Sequence, residues 1–447
     1  MSSLASIAKL AGGVLAGQIA VVGFSVADTA MLGRASDTAG LGTLAVGNAL
    51  YITLYVTLAE VMQALLPALG RAHGADRPEH IGATFRQGLW LAAGLCVLGL
   101  ALLLHPQPLL ALSGHPGNPD VLRYLQVQAL ALPAALALRA HITLGQAIAR
   151  PLPVTMLQIV GLVMKLALNA LFIDPRAFGL QAEGFGVVGC AMATCVTQWA
   201  MLGGAILQHR FDPVLHRLGA LTHWDAPDPG ALRALLGLGM PIGASVLVEV
   251  SAFTGMALFI SHLDPASLAA HQIASSVSVL MYMVPLSTAI AAGAIVAQQL
   301  GAGDLVRAGQ AAWRGVGLAG ALGLVLTLLL LWQRHRVAAL YDPDPHVQAV
   351  ALGLLGIVAV LQVFDALQIC SAFVLRAYHV AVLPSALYAL ALWGVGLGGG
   401  YFLCFDPMHV VPPALRGAAG FWAGNAAGLA LTAASLLLLL RSQARAA

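Results

Sequence analysis

Five ionisable side chains stand alone in long apolar stretches of this sequence, and each is a candidate for ion or proton chemistry. Asp28 is the only charge between Lys9 and Arg34, Glu60 the only one between Asp37 and Arg71, and Lys165 the only one between Arg150 and Asp174. Glu249 is likewise alone between Arg233 and Asp264, and Asp365 between Pro345 and Arg376. Spacing gives them polar company. Gln362, Asp365 and Gln368 are three apart and share one helical face. Gln158, Lys165 and Asn169, spaced by seven and four, share another. Ser245 lies one turn before Glu249, and Ser25 about one turn before Asp28. A carboxylate in such surroundings can trade a proton against a cation, the chemistry of ion-coupled exchange. A lone ammonium there must be neutral or paired, and Asp28 is its partner if the two helices meet. The competing reading is a static polar patch that tightens helix packing. Glu60, near the end of its apolar run, is also able to snorkel towards water.

The elements that must position these residues follow from composition. Of 447 residues, 60% are apolar and only 9% are Asp, Glu, Lys or Arg, against about 25% in a soluble protein. Mean hydropathy is +0.87. These values exclude a water-soluble enzyme. The net charge of +3 is too small and dispersed for a nucleic-acid footprint. Five cysteines, at 96, 190, 195, 370 and 404, form neither a disulfide framework nor a zinc-ligand pattern. The solvent is lipid, where each of the five isolated charges costs at least about 2.5–3.5 kcal/mol at the bilayer centre.

A bilayer core needs roughly 20 apolar residues per helix. The sequence predicts twelve spans: 8–31, 41–69, 88–105, 121–146, 151–173, 186–208, 232–261, 267–299, 311–333, 348–374, 379–404 and 417–440. Breakers such as Asp212-Pro213, Asp228-Pro229-Gly230, Asp342-Pro343-Asp344-Pro345 and Pro412-Pro413 mark the connections. The first apolar run is too long for a cleavable signal and is taken as the first span. Fourteen loop Lys and Arg residues, among them Arg86, Arg139 and Arg445, fall on the side of the termini. Six, among them Arg34 and Arg176, fall on the other. This bias predicts cytoplasmic termini in a multi-pass membrane protein.

The chain carries a weak internal repeat. ALLPALGRAHGAD from Ala64 is answered some 227 residues later by AAGAIVAQQLGAGD from Ala291. Leu44 to Asn48 likewise answers Leu268 to Gln272. The longest loop on the terminal side, 209–231, holds His209, Arg210, Asp212, His216, Arg217, His223, Asp225 and Asp228. Six spans return a chain to its starting side, so the halves repeat in parallel, as in many secondary transporters. The expected organisation is all-α: a six-helix lobe over 1–208, a connector over 209–231, and a second six-helix lobe over 232–447.

GASVLVEVSAFTGMALFISHLDPASLAAHQIA, from Gly243 to Ala274, resembles helices 7 and 8 of the multidrug and toxic compound extrusion (MATE) family, in its NorM-type bacterial branch. The tenth span resembles the same branch through Phe364-Asp365-Ala366-Leu367-Gln368 and Leu375-Arg376-Ala377-Tyr378, and the first through Val26 to Arg34. Pro67 in QALLPALGRAHGA and the stretch Gly186 to Thr194 fit as well, and the matches run from about residue 9 to 440 in the family's order. The resemblance implies an exporter of organic cations and drugs, driven by inward Na+ or H+ and working by alternating access. It implies that Glu249 and Asp365 bind the coupling cation, possible Na+ ligands, and that Asp28 is the corresponding acid of the first lobe. Asn169 matches the second polar position of a pair in the fifth span. The first position is usually Asn in the family, and Lys165 stands there, so an ammonium occupies the place of a cation. Glu60 has no counterpart.

Other candidates are weaker. His271 reads as a packing or hydrogen-bonding histidine rather than a ligand. Tyr282, Met281, Met283 and Phe253 suit the lining of a cavity for flat cations, with ordinary helix packing as the competing reading. Trp90, Trp224, Trp332 and Trp393 lie near span ends as interfacial anchors. Gly396 to Gly400 lacks the Lys-Ser/Thr of a phosphate loop and suits close helix contact. A flippase for a lipid-linked or amphipathic solute is the alternative function. It calls for several cavity cations, whereas here one buried Lys faces four acids. An intramembrane enzyme lacks a nucleophile–base pair, and no selectivity filter supports a channel. The expected partners are organic cations and the lipid bilayer, with no nucleic acid, no cofactor beyond the coupling ion, and a monomeric state.

Overall fold

Proline and aspartate set where the helices begin. In the computed structural model of the chain, Pro78, Pro119, Pro151, Pro229, Pro265 and Pro345 each open a long helix, where proline's fixed φ is an advantage and its missing N–H costs nothing. The residue before is often the cap. Asn118 accepts from the amides of Asp120 and Val121, Asp264 from Ser267 and Asp344 from His346. These side chains satisfy amide donors that the helix leaves orphaned. The exposed Asp264 carboxyl also accepts from the Ser267 hydroxyl at 2.7 Å. The Ser267 hydroxyl and amide together hold it below the usual carboxylate range.

The described residues are 4–35, 38–107, 110, 118–173, 175, 184–222, 224–406 and 408–446. Asp37, Asp174, Arg176 and His223 lie outside them, as do the side chains of Arg34 and Arg445. Among the described residues there are twelve helices long and apolar enough to cross a membrane. They are α1 (Leu4–Gly33), α2 (Gly42–Gly74), α3 (Pro78–Leu104), α4 (Pro119–Ala147), α5 (Pro151–Ile173) and α6 (Gly186–Phe211), followed by α7 (Pro229–Ile260), α8 (Pro265–Gly301), α9 (Leu305–Tyr341), α10 (Pro345–Ala377), α11 (Val382–Phe405) and α12 (Ala418–Ala444). Each contains one expected span almost entirely. The helices run past the apolar stretch where caps and polar turns extend them. The third begins ten residues early because Pro78 starts a polar first part that holds Arg86 and Gln87.

The chain divides into two compact units, Gly13–Gly239 and Met1–Gly12 with Met240–Ala447. In the Gly13–Gly239 unit, α4 lies at the centre. Its Tyr124, Leu125, Leu132, Leu136 and Leu144 are fully buried, and it packs on α3 and α6. The segment between α6 and α7 is strapped to α3. Arg86, itself buried, donates through Nε to Asp225 at 2.7 Å and through Nη1 to the Gly219 carbonyl at 2.7 Å. Gln87 bonds the Ala226 carbonyl and the Asp228 amide, and Trp90 donates to the Asp225 carbonyl. Arg86 therefore acts as a clamp within the fold, and Trp90, with its edge-on neighbour Trp224, does more than anchor at an interface. Arg139, counted with the loop charges by the sequence reading, lies within α4 and pairs with Glu60 at 3.1 Å. This partner holds Glu60 in the fold, so it does not snorkel free.

In the second unit α10 is central, packed on α8, α9 and α12. The core gathers Met256, Ile260, Leu355, Val358, Phe421 and Trp422. Residues 289–297 of α8, rich in alanine, are fully buried or nearly so and let backbones approach closely. The glycine run of α11 serves the same end. Its residues Ala391–Gly399 are wound as a π-helix. A Cβ added at Gly424 of α12 would stand 2.7 Å from the Gly396 carbonyl oxygen, so only glycine fits that crossing.

Candidate ion and substrate sites

Within the second unit, α7, α8, α10, α11 and α12 line a cavity of about 480 Å3. Glu249 of α7 and Asp365 of α10 both line it, near enough for their charges to interact. The two carboxylates come from separate helices, and the core packing of α10 against its neighbours sets their meeting. Tyr388 of α11, buried, lines the same cavity as Glu249. Asn425 of α12 is 1% exposed, and neither its amide oxygen nor its amide nitrogen has a partner among the described residues. Orphaned buried polar atoms are costly, and Asn425 is one of the residues lining the cavity with the two acids. The same wall carries His271, whose ring lies 5.7 Å from that of Trp422. Carboxylate, hydroxyl and amide oxygens suit a proton or a hard monovalent cation. Phe253, Tyr282 and Leu392 supply apolar and aromatic surface beside them for an organic body.

The expected cavity residues divide accordingly. Tyr282 and Phe253 line the cavity with the acids, and Phe253 also meets Trp422 edge-on at 6.0 Å. Gln362 and Gln368 are buried but are not among its lining residues. Three residues of α-helix fall short of a full turn by about 60°, so the neighbours of Asp365 swing to either side of it. Ser245, one turn from Glu249, spends its hydroxyl on the Pro241 carbonyl at 2.9 Å.

The polar site of the Gly13–Gly239 unit is closed by its own lysine. Lys165 is fully buried, with Nζ 2.7 Å from Asp28 Oδ1. It also donates to Thr194 Oγ1 at 2.6 Å and to the Cys190 carbonyl at 3.4 Å. Asn169 Nδ2 donates to the same Asp28 oxygen at 2.7 Å. Helices α1, α5 and α6 therefore converge on one ammonium. Nearby, Gln128 donates to the Tyr124 hydroxyl at 3.0 Å, and that hydroxyl donates to Asn48 at 3.4 Å. Glu60 is apart from this network, with Arg139.

Sequence reasoning missed Tyr388 and Asn425 as cavity residues and Thr194 as a lysine partner. Asn425 had a signal, since it is the lone amide in the apolar run of α12. Tyr388 and Thr194 had none that separates them from ordinary helix residues.

The comparisons with known proteins agree with this architecture. The MatE family model matches residues 14–171 and 241–402. The chain is 36% identical over 433 residues to a probable multidrug resistance protein NorM of Aromatoleum aromaticum, covering 96% of this chain and 92% of that protein. It is 33% identical to the multidrug resistance protein PmpM of Pseudomonas aeruginosa, covering 98% and 91%. The fold matches the crystal structure of the eukaryotic MATE transporter AtDTX14 with a TM-score of 0.83 at 19% identity, covering 99% of this chain and 97% of that one. On these matches, the chain belongs to the MatE family of membrane transporters.

Proposed function

We propose that the chain exports drugs and other organic cations across the bacterial inner membrane in exchange for inward Na+ or H+, through the cavity that holds Glu249 and Asp365. The observation that carries this reading is the convergence of two carboxylates with Tyr388 and Asn425 in a cavity of about 480 Å3 with aromatic walls. In the proposed cycle, six-helix lobes over 1–208 and 232–447, joined by 209–231, alternate access to the cavity, and both termini are cytoplasmic. An entering ion binds or protonates the two acids from outside and displaces the drug. Its departure to the cytoplasm restores the negative site for the next cation. Exchange of this kind requires each ligand to favour one state by differential affinity.

The second polar site supports assigning coupling to Glu249 and Asp365. Asp28 already holds a tethered cation, Lys165, so a free ion gains access only if that pair breaks. The same pairing weighs against a flippase for a lipid-linked solute. The one deeply buried Lys is committed, and among the described residues no Lys or Arg lines the acidic cavity.

The test is efflux of a fluorescent organic cation from proteoliposomes, with Na+ and H+ gradients imposed separately. One of the two gradients is expected to drive efflux, and Glu249→Gln and Asp365→Asn variants are expected to lose it while remaining folded. Parental rates in either variant would refute the assignment. Absence of gradient-driven efflux in the parent chain would favour the flippase.

A further inference from the structure

The Gly13–Gly239 unit holds a second cavity, of about 420 Å3, between α3, α4 and α6 and beneath the segment that leads to α7. Phe85, Pro133 and Leu202 form apolar walls, and the small side chains of Ala92, Ala137 and Ala205 leave the space between them. Among the described residues its lining has no Asp, Glu, Lys or Arg. His141 and His209, 2% and 6% exposed, bond each other at 3.1 Å, and His141 also bonds Gln208 at 2.9 Å, so the pair is part of the wall.

The groove has the depth of one leaflet. Phe85 and Cys96, the ends of its wall on α3, are eleven positions apart, about 16 Å along a helix. Half of a bilayer core is about 15 Å. The strapped segment crosses α3 between Arg86 and Trp90. There Trp224, 67% exposed, lies edge-on to Trp90, which sets this end at the headgroup level, where tryptophan collects. The positions beside the groove, Ala93 and Val97 on α3 and Ile206 and Leu207 on α6, are exposed and apolar. Its open side therefore faces the lipid around the spans.

A cation stands at the headgroup end. Arg210 follows Ile206 by one turn on the same face of α6 and is exposed. The acids at either end of the connecting segment are already paired, Asp212 with Arg150 at 3.0 Å and Asp225 with Arg86 at 2.6 Å. Among the described residues Arg210 has no ion-pair partner.

From this arrangement we infer that the groove binds an anionic phospholipid of the surrounding bilayer, with one acyl chain between α3, α4 and α6 and the headgroup phosphate at Arg210. An apolar space open to lipid gains dispersion contacts when a chain fills it, and a guanidinium pairs strongly with phosphate. A zwitterionic lipid offers the same chain but no net charge to Arg210. An organic cation finds no counter-charge here.

The probes are phosphatidylglycerol and phosphatidylcholine with identical chains, each carrying a photoactivatable diazirine at the end of one acyl chain. Each is added in trace amount to the purified chain in phosphatidylcholine nanodiscs, and the labelled residues are mapped by mass spectrometry. We expect the phosphatidylglycerol probe to label the deep end of the groove, around Cys96 and Leu202, about fivefold more than the phosphatidylcholine probe, the effect of one cation near a headgroup. Arg210→Gln is expected to bring the two yields together. Ala93→Trp, which fills the groove, is expected to remove labelling there by both probes. Equal yields in the parent chain, labelling spread evenly over all lipid-facing helices, no labelling in the groove, or a preference that survives Arg210→Gln would overturn the inference. The parent-chain comparison decides the matter even if a variant fails to fold.

Discussion

Replacing Asp28 by Asn tests whether the Asp28–Lys165 pair is a constituent of the fold. The substitution keeps the shape and removes one charge from a site in which Lys165 is fully buried and Asp28 is 5% exposed. Lys165 would retain only neutral acceptors: Thr194, the Cys190 carbonyl and the amide oxygen introduced at position 28. Removing one partner of a buried ion pair costs about 3–5 kcal/mol, because the remaining charge stays desolvated without compensation. Since each 1.4 kcal/mol is about tenfold, this corresponds to roughly a hundredfold or more in the folding equilibrium. Lys165→Met is expected to cost a similar amount, because it leaves the Asp28 carboxylate with Asn169 alone. The double variant removes both charges, so it should lose much less than the sum of the singles. The assay is equilibrium unfolding in detergent micelles of the parent, both singles and the double, read as a double-mutant cycle. Two singles that each cost under about 1 kcal/mol, with an additive double, would refute the reasoning, since the pair would then behave like an exposed one.

Two further outcomes follow from the clamp and the caps. Arg86→Ala removes the bonds to Asp225 and the Gly219 carbonyl. The segment between α6 and α7 should then be cut several-fold faster by a protease acting on 212–228, and a cleavage rate equal to the parent's would show that Gln87 and Trp90 suffice to hold it. Asp264→Ala deletes the α8 cap and should cost about 1 kcal/mol, seen as a lower Tm at neutral pH. The folded carboxyl lies below its ordinary value, so its contribution is complete above about pH 4 and disappears as the pH falls through the lower folded value. Parent and variant should therefore converge in Tm in acid, and a constant gap would contradict the cap.

Much of this molecule was legible in the residues alone. The twelve helices follow from apolar runs separated by breakers such as Asp-Pro and Pro-Pro, and Asp-Pro steps reappear as caps at Asp212, Asp264 and Asp344. Asp28, Glu60, Lys165, Glu249 and Asp365 stood out because charge in an apolar helix is costly wherever that helix goes. Close packing at Gly396 to Gly400 was legible for a similar reason, since glycine in a span is useful mainly for what it lets approach.

Which side chains meet was decided by tertiary packing. Helical spacing fixes the direction of a side chain about its own axis and carries no information about which helix it faces. In lipid, spans apolar on every side have little amphipathic pattern to supply it. So the meeting of Lys165 with Asp28 was only a conditional reading, and Glu60 was assigned no partner although Arg139 lies 79 residues away and pairs with it. Tyr388 and Asn425 joined Glu249 and Asp365 only once α11 and α12 were packed on the core. The His141–His209 pair shows the same division. Its residues come from α4 and α6, are 68 positions apart, and meet only when the two helices lie side by side.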